Sequence, residues 1–486
     1  MRERLLRQTP TLIAAYFLIG CLMRLASSPT LEMDEAEQVL LSQLPLRWVY
    51  GSQPPLYTWL QSFVFKIFGE SIFSLVILKN FLLASTFLLT WATIKRLTAS
   101  YLYAAIGALL LMLVPQYIWE SQRDLTHSVL VTTCTALTVY LLVRIYQTQS
   151  LSTYIALGLA IAAGMLSKYN FIFPVAGFII AAFFFKQTRE CLFNYKALIT
   201  TVIAVLIIAY QLSHVLSSQA EVSTDISDFA MTSISMTTVF KGLYSFIGNT
   251  FAFVVLLVAI PFAALYGSEE QDELQEDALD IRKYFGLSLL TIILITLAIF
   301  AVTGGTDIKD RWLQPLYYVL PLYLCLRLAP HYDEARQNLV MIVSAVVGLV
   351  IFFILPLQPI LSPMTGNPSR RNVPYRELAE KLIKKKENLP QIIANNRRIG
   401  GNLKLLLPHA RVITADLPSV SVDPTLPTLV IWNGGESNMP PQNLFDLVRD
   451  DFGIELPDTP LDTVTAKQYY TSKHNFTLAY DIINSQ

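Results

Sequence analysis

Adjacent carboxylates at Asp34 and Glu35, followed by a third at Glu37, open the stretch best equipped for chemistry, residues 31–60. It reads LEMDEAEQVLLSQLPLRWVYGSQPPLYTWL, acidic at its start and aromatic at its end. Acidic side chains at a helix start complement the macrodipole, and that structural role competes with any chemical one. The setting favours chemistry. A carboxylate beside apolar surface and lipid has a raised pKa, which suits a general base for an acceptor hydroxyl.

Three further groups have the right types. Arg123 and Asp124, with His127, stand at a helix start, where Asp124 could simply cap. Charged residues at a membrane boundary are costly unless paired or functional. Lys168, in Ser167-Lys168-Tyr169-Asn170, follows an almost wholly apolar run. It either snorkels to the interface or binds phosphate. Lys309 and Arg311, in Lys309-Asp310-Arg311-Trp312, ask for an anionic partner such as a lipid phosphate or pyrophosphate. Together these groups suit transfer from a phosphate-activated lipid. Cations would hold the leaving phosphate while a carboxylate activates the acceptor.

The elements that must position them are membrane helices. The chain has 486 residues, 53% hydrophobic and only 15% charged, where a soluble protein carries about a quarter charged residues. Mean hydropathy is +0.47. Apolar runs place spans near 10–28, 71–94, 101–119, 125–146, 152–167, 171–186, 197–217, 243–267, 284–303, 313–329 and 338–357, about eleven in all. Residues 54–68, too short and aromatic for a span, read as an interfacial helix. Arg2, Arg4 and Arg7 precede the first run as in a signal peptide, but the later spans favour a retained helix. Cleavage near Ala26-Ser27-Ser28 is the alternative.

Lys and Arg collect in alternate links: the N-terminus, Lys95/Arg96, Arg144, Lys186/Arg189/Lys196, Arg282/Lys283 and Arg327/Arg336. These links are expected to be cytoplasmic. The candidate groups then share the opposite side, with the links at 218–242 and 306–311 and the tail. The acidic link at 269–280 reads as a solvated cytoplasmic loop. Beyond residue 370 the composition turns mixed and proline-rich. A helix at 375–387 and strands at Gln391–Ala394, Arg411–Thr414, 428–432 and 476–483 indicate a small α/β domain. The tail contains none of the four cysteines, so no structural disulfide is expected there. Balanced charge, 36 basic against 36 acidic residues, gives no reason to expect nucleic acid.

The order of the motifs is specific. Asp34-Glu35-Ala36-Glu37, then Gln53-Pro54-Pro55-Leu56-Tyr57-Thr58-Trp59-Leu60, then Phe65-Lys66-Ile67-Phe68-Gly69, resembles the membrane glycosyltransferases of the GT-C fold. Within them it resembles the group holding protein mannosyltransferases and the lipid A aminoarabinose transferase. Arg123-Asp124-Leu125-Thr126-His127, Leu166-Ser167-Lys168-Tyr169 and Lys309-Asp310-Arg311-Trp312-Leu313-Gln314-Pro315 extend the likeness toward the bacterial branch acting on lipopolysaccharide and similar acceptors. It covers roughly residues 10–360 well and the tail loosely.

The resemblance implies a polytopic α-helical GT-C protein with a small extracytoplasmic α/β domain. It implies a polyprenyl-phosphate-linked sugar donor, a lipid or glycan acceptor, membrane lipids as surroundings, and transfer in the periplasm from the inner membrane. Asp34 inherits the position at the reaction centre, with Glu35 supporting and Asp124 as a second acidic position. Arg123, Lys168, Tyr169, Lys309, Arg311 and Tyr57 are the expected substrate contacts. Some relatives carry a charged or metal-binding residue just before the Pro pair, where this chain has Ser52-Gln53. No metal site is therefore transferred; if a divalent ion binds, Asp34 and Asp124 are its nucleus. The expected domains are 1–360, with 31–69 as the catalytic outer loop, and 361–486.

A lipid-linked sugar transporter or flippase is the rival reading. It calls for polar or broken midplane helices, whereas Arg24, Lys79 and Arg327 look isolated. A non-catalytic envelope assembly protein is a third, and it would be indifferent to loss of Asp34.

Overall fold

The computed structural model describes residues 2–51, 53–217, 236–266, 274–303, 309–385, 389–417, 420–435, 439–453, 456, 460 and 462–483. The links expected at 218–242, 269–280 and 306–311 lie partly outside the described residues, as does Ser52.

All eleven apolar stretches are helical, in different ways. Among the described residues, seven helices are long and apolar enough to cross a membrane: Thr9–Ser27, Ile72–Thr98, His127–Thr148, Tyr195–Ser217, Met236–Ala263, Glu276–Thr303 and Glu334–Thr365. An eighth candidate is the pair Tyr101–Leu113 and Gln116–Arg123, bent by 77°. Pro115 lies in the break and has no N–H to continue the ladder. The stretches at 152–167 and 171–186 form shorter apolar helices, Leu151–Met165 and Tyr169–Ala182. The former is 15 residues long, whereas a straight crossing needs roughly 20. The stretch at 313–329 divides into Leu313–Tyr317 and Val319–Leu328. There Pro321 cannot donate back to Tyr317. Helix Tyr195–Ser217 has only 17% of its apolar window buried, leaving Leu198, Val205 and Leu206 outside. Such a face suits lipid, and the chain is a multi-pass membrane protein.

By internal packing the chain divides into two units, with boundaries inside four helices. The first comprises residues 1–19, 52–57 and 79–352. Its most enclosed long helix is His127–Thr148, 72% buried. Helices Leu151–Met165 and Tyr195–Ser217 meet at Gly158, where a Cβ would lie 2.8 Å from the Thr200 carbonyl oxygen. Thr200 Oγ1 donates to the Tyr154 carbonyl at 2.7 Å in the same contact. Small residues and a hydroxyl are what close helix contacts in lipid use.

The second unit comprises residues 20–51, 58–78 and 353–486. Its sheet has the order β2-β1-β3-β5-β4, with β1 (Gln391–Ala394), β2 (Arg411–Thr414), β3 (Thr428–Asn433), β4 (Asp462–Lys467) and β5 (Asn475–Ile483). β1 is parallel to both β2 and β3, while β5 is antiparallel to β3 and β4. Strand alternation sends Ile392 and Ile393 to opposite faces. Ile392 packs with Leu378, Leu382, Ile399 and Leu403 of helices Tyr375–Lys385 and Arg397–Leu406. Ile393 packs with Leu444 and Val448 of helix Gln442–Phe452. The four expected strands and the first tail helix are present, whereas β4 and the other two tail helices are additions. β4 is mostly exposed and turns only Val464 and Ala466 inward. Gly400 and Gly401 weaken the helical signal of Arg397–Leu406.

Candidate active site

The acidic stretch of the second unit forms a helix, Met33–Leu41, with Asp34 and Glu35 in its first turn. Adjacent helical residues point about 100° apart, and the two carboxylates have different surroundings. Asp34 is partly exposed. Glu35 is turned inward, with its side chain 1% exposed. Glu35 Oε2 accepts from Arg24 Nη2 at 2.9 Å and from the Glu32 backbone N–H at 3.2 Å. It therefore joins the helix start to a buried cation. Arg24 also donates to the carbonyls of Ser28 at 2.7 Å and Thr30 at 2.9 Å.

Two more arginines hold the same segment. Arg371 Nε lies 3.3 Å from Glu32 Oε1, both side chains buried. Arg397 Nη1 donates to Glu37 Oε2 at 2.7 Å, and its Nε to Asp416 Oδ2 at 3.0 Å. Burial works against the Arg397 charge, but Glu37 and Asp416 outweigh it and raise its pKa above the ordinary value.

Backbone contacts fix the helix as closely. Asn402 Oδ1 accepts from the Leu31 N–H at 2.9 Å, and Asn402 Nδ2 donates to the Leu31 carbonyl at 3.2 Å. Gly401 meets the helix directly: a Cβ there would lie 2.4 Å from the Ala36 carbonyl oxygen. Leu31, Ala36 and Val39 also pack on Phe65 and Leu75. Helix Arg397–Leu406 thus serves as a seat for the acidic helix. Its glycines weaken the sequence signal and permit the close approach.

The first unit gathers the other candidates. Arg123 Nη2 donates to Glu120 Oε2 at 2.7 Å. Asp124 ends that turn, its N–H bonded to the Glu120 carbonyl at 3.1 Å. Its own carbonyl accepts from Lys79 Nζ at 3.2 Å, and Lys79 is 2% exposed. His127 Nδ1 lies 3.3 Å from the Ser167 carbonyl oxygen, and its ring stands 5.4 Å from that of Tyr57. The Leu56 N–H donates to the Leu166 carbonyl at 2.9 Å, bringing the Pro-Pro segment to the start of the Lys168 loop. Lys168 Nζ donates to Ser128 Oγ at 2.7 Å.

Tyr169 OH accepts from Gln211 Nε2 at 3.0 Å, and Asn170 Nδ2 donates to the Trp312 carbonyl at 2.9 Å. That last bond ties the Lys168 loop to the turn Asp310–Trp312, which carries Arg311; Lys309, just before it, is exposed. Gln314, fully buried, donates to the Gln116 carbonyl at 2.8 Å and accepts from Thr132 Oγ1 at 3.3 Å. Three loops distant in sequence are therefore joined, the Pro-Pro segment to the Lys168 loop by a backbone bond and that loop to the Arg311 turn by a side-chain-to-backbone bond. Arg24 and Lys79 are not isolated, as their sequence positions suggest. Each is buried and bonded beside a candidate residue. A charge inside an apolar run requires such a partner, and that requirement is the signal that could have found them. Among the described residues, no three His, Cys, Asp or Glu side chains group as a metal site.

The chain is similar to known proteins. Residues 52–214 match the family model described as dolichyl-phosphate-mannose-protein mannosyltransferase. ArnT from Cupriavidus metallidurans, solved with undecaprenyl phosphate, aligns with a TM-score of 0.59 at 12% identity, over 96% of this chain and 97% of that one. The fold and the family define a membrane glycosyltransferase of the GT-C class. The lipopolysaccharide core galacturonosyltransferase RgtB of Rhizobium johnstonii is 31% identical over 463 residues, 92% of each chain. RgtA of the same organism is 30% identical over 460 residues, 89% of each chain. The chain belongs to the glycosyltransferase family that contains these two proteins.

Proposed function

We propose that this glycosyltransferase moves a sugar from a polyprenyl-phosphate carrier to a glycan or lipid of the bacterial envelope, with lipopolysaccharide the favoured acceptor class. The observation that carries the reading is the fixed placement of the acidic helix. Three arginine–carboxylate pairs, at Glu32, Glu35 and Glu37, and Asn402 hold its N-terminal half, whose first turn presents Asp34. The names of RgtA and RgtB support the acceptor class, and the lipid bound to ArnT supports the donor.

In this mechanism the acceptor oxygen attacks the anomeric carbon as its proton passes to the Asp34 carboxylate. The carbon–oxygen bond to phosphate breaks, and the polyprenyl phosphate leaves with the electron pair. Lys168 and Arg311, with Lys309, offset the charge on that phosphate. Arg123, Asp124, Tyr57 and Tyr169 complete the substrate contacts, and Glu35 orients the turn that carries Asp34. Residues 1–360 form the transferase domain, with 31–69 as its catalytic outer loop, and 361–486 the periplasmic domain. The protein sits in the inner membrane with its N-terminus in the cytoplasm, as the Lys and Arg distribution favours.

A deletion strain tests the reading. Its envelope glycans should lack one sugar and its membranes should accumulate the polyprenyl-phosphate donor. Unchanged glycans with no accumulated donor would contradict it.

A further inference from the structure

A cleft of about 420 Å³ lies in the second unit, lined by Gln43, Leu44, Arg47, Lys404, His409, Ala410, Arg411, Val420 and Ser421. Two arginines, a lysine and a histidine line it, and among the described residues no carboxylate does. Its walls are held by specific bonds. Gln43 Oε1 accepts from the Val412 N–H at 2.9 Å, and Gln43 Nε2 donates to the Val412 carbonyl at 3.0 Å. Lys404 Nζ donates to the carbonyls of Pro408 at 2.7 Å and Ala410 at 3.0 Å. Arg411 Nη2 donates to Ser421 Oγ at 2.9 Å. The Arg47 backbone is anchored at both ends: its N–H donates to Tyr50 OH at 2.8 Å, and its carbonyl accepts from Trp59 Nε1 at 2.8 Å.

Two acids outside the lining, Glu70 and Asp423, act electrostatically on Lys404 and Arg411. Lys404 has its pKa lowered by burial, with Glu70 acting in the opposite direction. Asp423 is held below the usual carboxylate range first by Thr425, and Arg411 contributes least. Basic side chains that line one walled cleft suit an oxyanion. A guanidinium fork and an ammonium grip a carboxylate or phosphate with charge-assisted bonds. A cleft of a few hundred cubic ångströms is also large enough for the body of a small ligand. Gln43 follows the acidic helix Met33–Leu41, nine residues after Asp34 in sequence.

We propose that this cleft binds an oxyanion carried by a sugar, either a carboxylate or a phosphate ester, and so grips the acceptor glycan away from the reacting bond. The inference rests on the reading of the chain as a transferase to envelope glycans. Binding energy from such a remote group serves to orient the acceptor. Both its carboxylate and its ester forms present the same chemistry to Arg47, Lys404 and Arg411.

The test is direct binding to the full-length protein in neutral phosphatidylcholine nanodiscs, with galacturonate, glucose 6-phosphate and neutral galactose as probes. At least one acidic probe should bind and galactose should not. The double variant Lys404→Gln/Arg411→Gln should weaken that binding about tenfold or more while its thermal midpoint stays near wild type. Equal binding of galactose, no acidic binding, or acidic binding unchanged in the variant overturns the proposal. Loss of sugar binding when phosphatidylglycerol is added to the nanodiscs also overturns it, because the cleft would then belong to a lipid headgroup. If the double variant fails to fold, Arg411→Lys and Lys404→Arg, which keep the charge, must each retain acidic binding, and Arg411→Gln alone must weaken it. No turnover is measured, so this result stands or falls separately from the transferase reading.

Discussion

Arg24 and Glu35 form a buried ion pair, 2.9 Å from Nη2 to Oε2, that joins the end of the first long helix to the first turn of the acidic helix. Breaking such a pair leaves an uncompensated buried charge, which costs about 3–5 kcal/mol. Arg24→Ala also leaves the Ser28 and Thr30 carbonyls without their donor. The variant should unfold at clearly lower temperature and lose transfer activity. An unchanged thermal midpoint would show that the pair does not hold this turn.

Gly401 tests the seat of the acidic helix. A methyl group there meets backbone and side chain of Ala36 at 2.4–2.7 Å, so one helix must move. Gly401→Ala should cost about 1–3 kcal/mol and reduce turnover, as overpacking does. Gly248→Ala is the control, because a Cβ at Gly248 has nothing within 4 Å. It should be neutral or slightly stabilising, since alanine favours the helix. Equal behaviour of the two variants in thermal melts and transfer assays would rule out a tight seat.

Arg311 belongs to the leaving phosphate in this account. Arg311→Ala should raise the KM for the polyprenyl-phosphate donor about tenfold or more and leave the acceptor KM nearly unchanged. Steady-state kinetics varying each substrate separately measures this. Unchanged donor KM would return Arg311 to the role of a helix anchor.

Topology follows from the Lys and Arg distribution. A phosphatase reporter fused after Gln486 should be active, because that enzyme works only outside the cytoplasm. A fusion active only with a cytoplasmic reporter would reverse the sidedness and move the candidate groups to the wrong face.

Among the described residues, hydropathy alone located each long apolar helix, because lipid demands apolar length whatever the fold. Some of these stretches are not single long helices, because Pro115 and Pro321 interrupt two of them and Leu151–Met165 is short. In the tail, β1, β2, β3 and β5 stand out as apolar runs, whereas β4 hides behind its exposed polar residues. The acidic pair at Asp34 and Glu35 was visible, and so was the roughly 100° by which helical neighbours face apart. Their supports were not. Arg371, Arg397 and Asn402 lie more than three hundred residues from the acidic helix in sequence, and no local period links them to it.

The central claim is that Asp34 is the base. Asp34→Asn keeps the shape of the side chain and removes its basicity. Transfer by the purified variant should slow about 10²–10⁴-fold, with donor binding and thermal midpoint close to wild type. Near-normal turnover would contradict the mechanism outright, and lost donor binding with a folded protein would make Asp34 a binding residue instead.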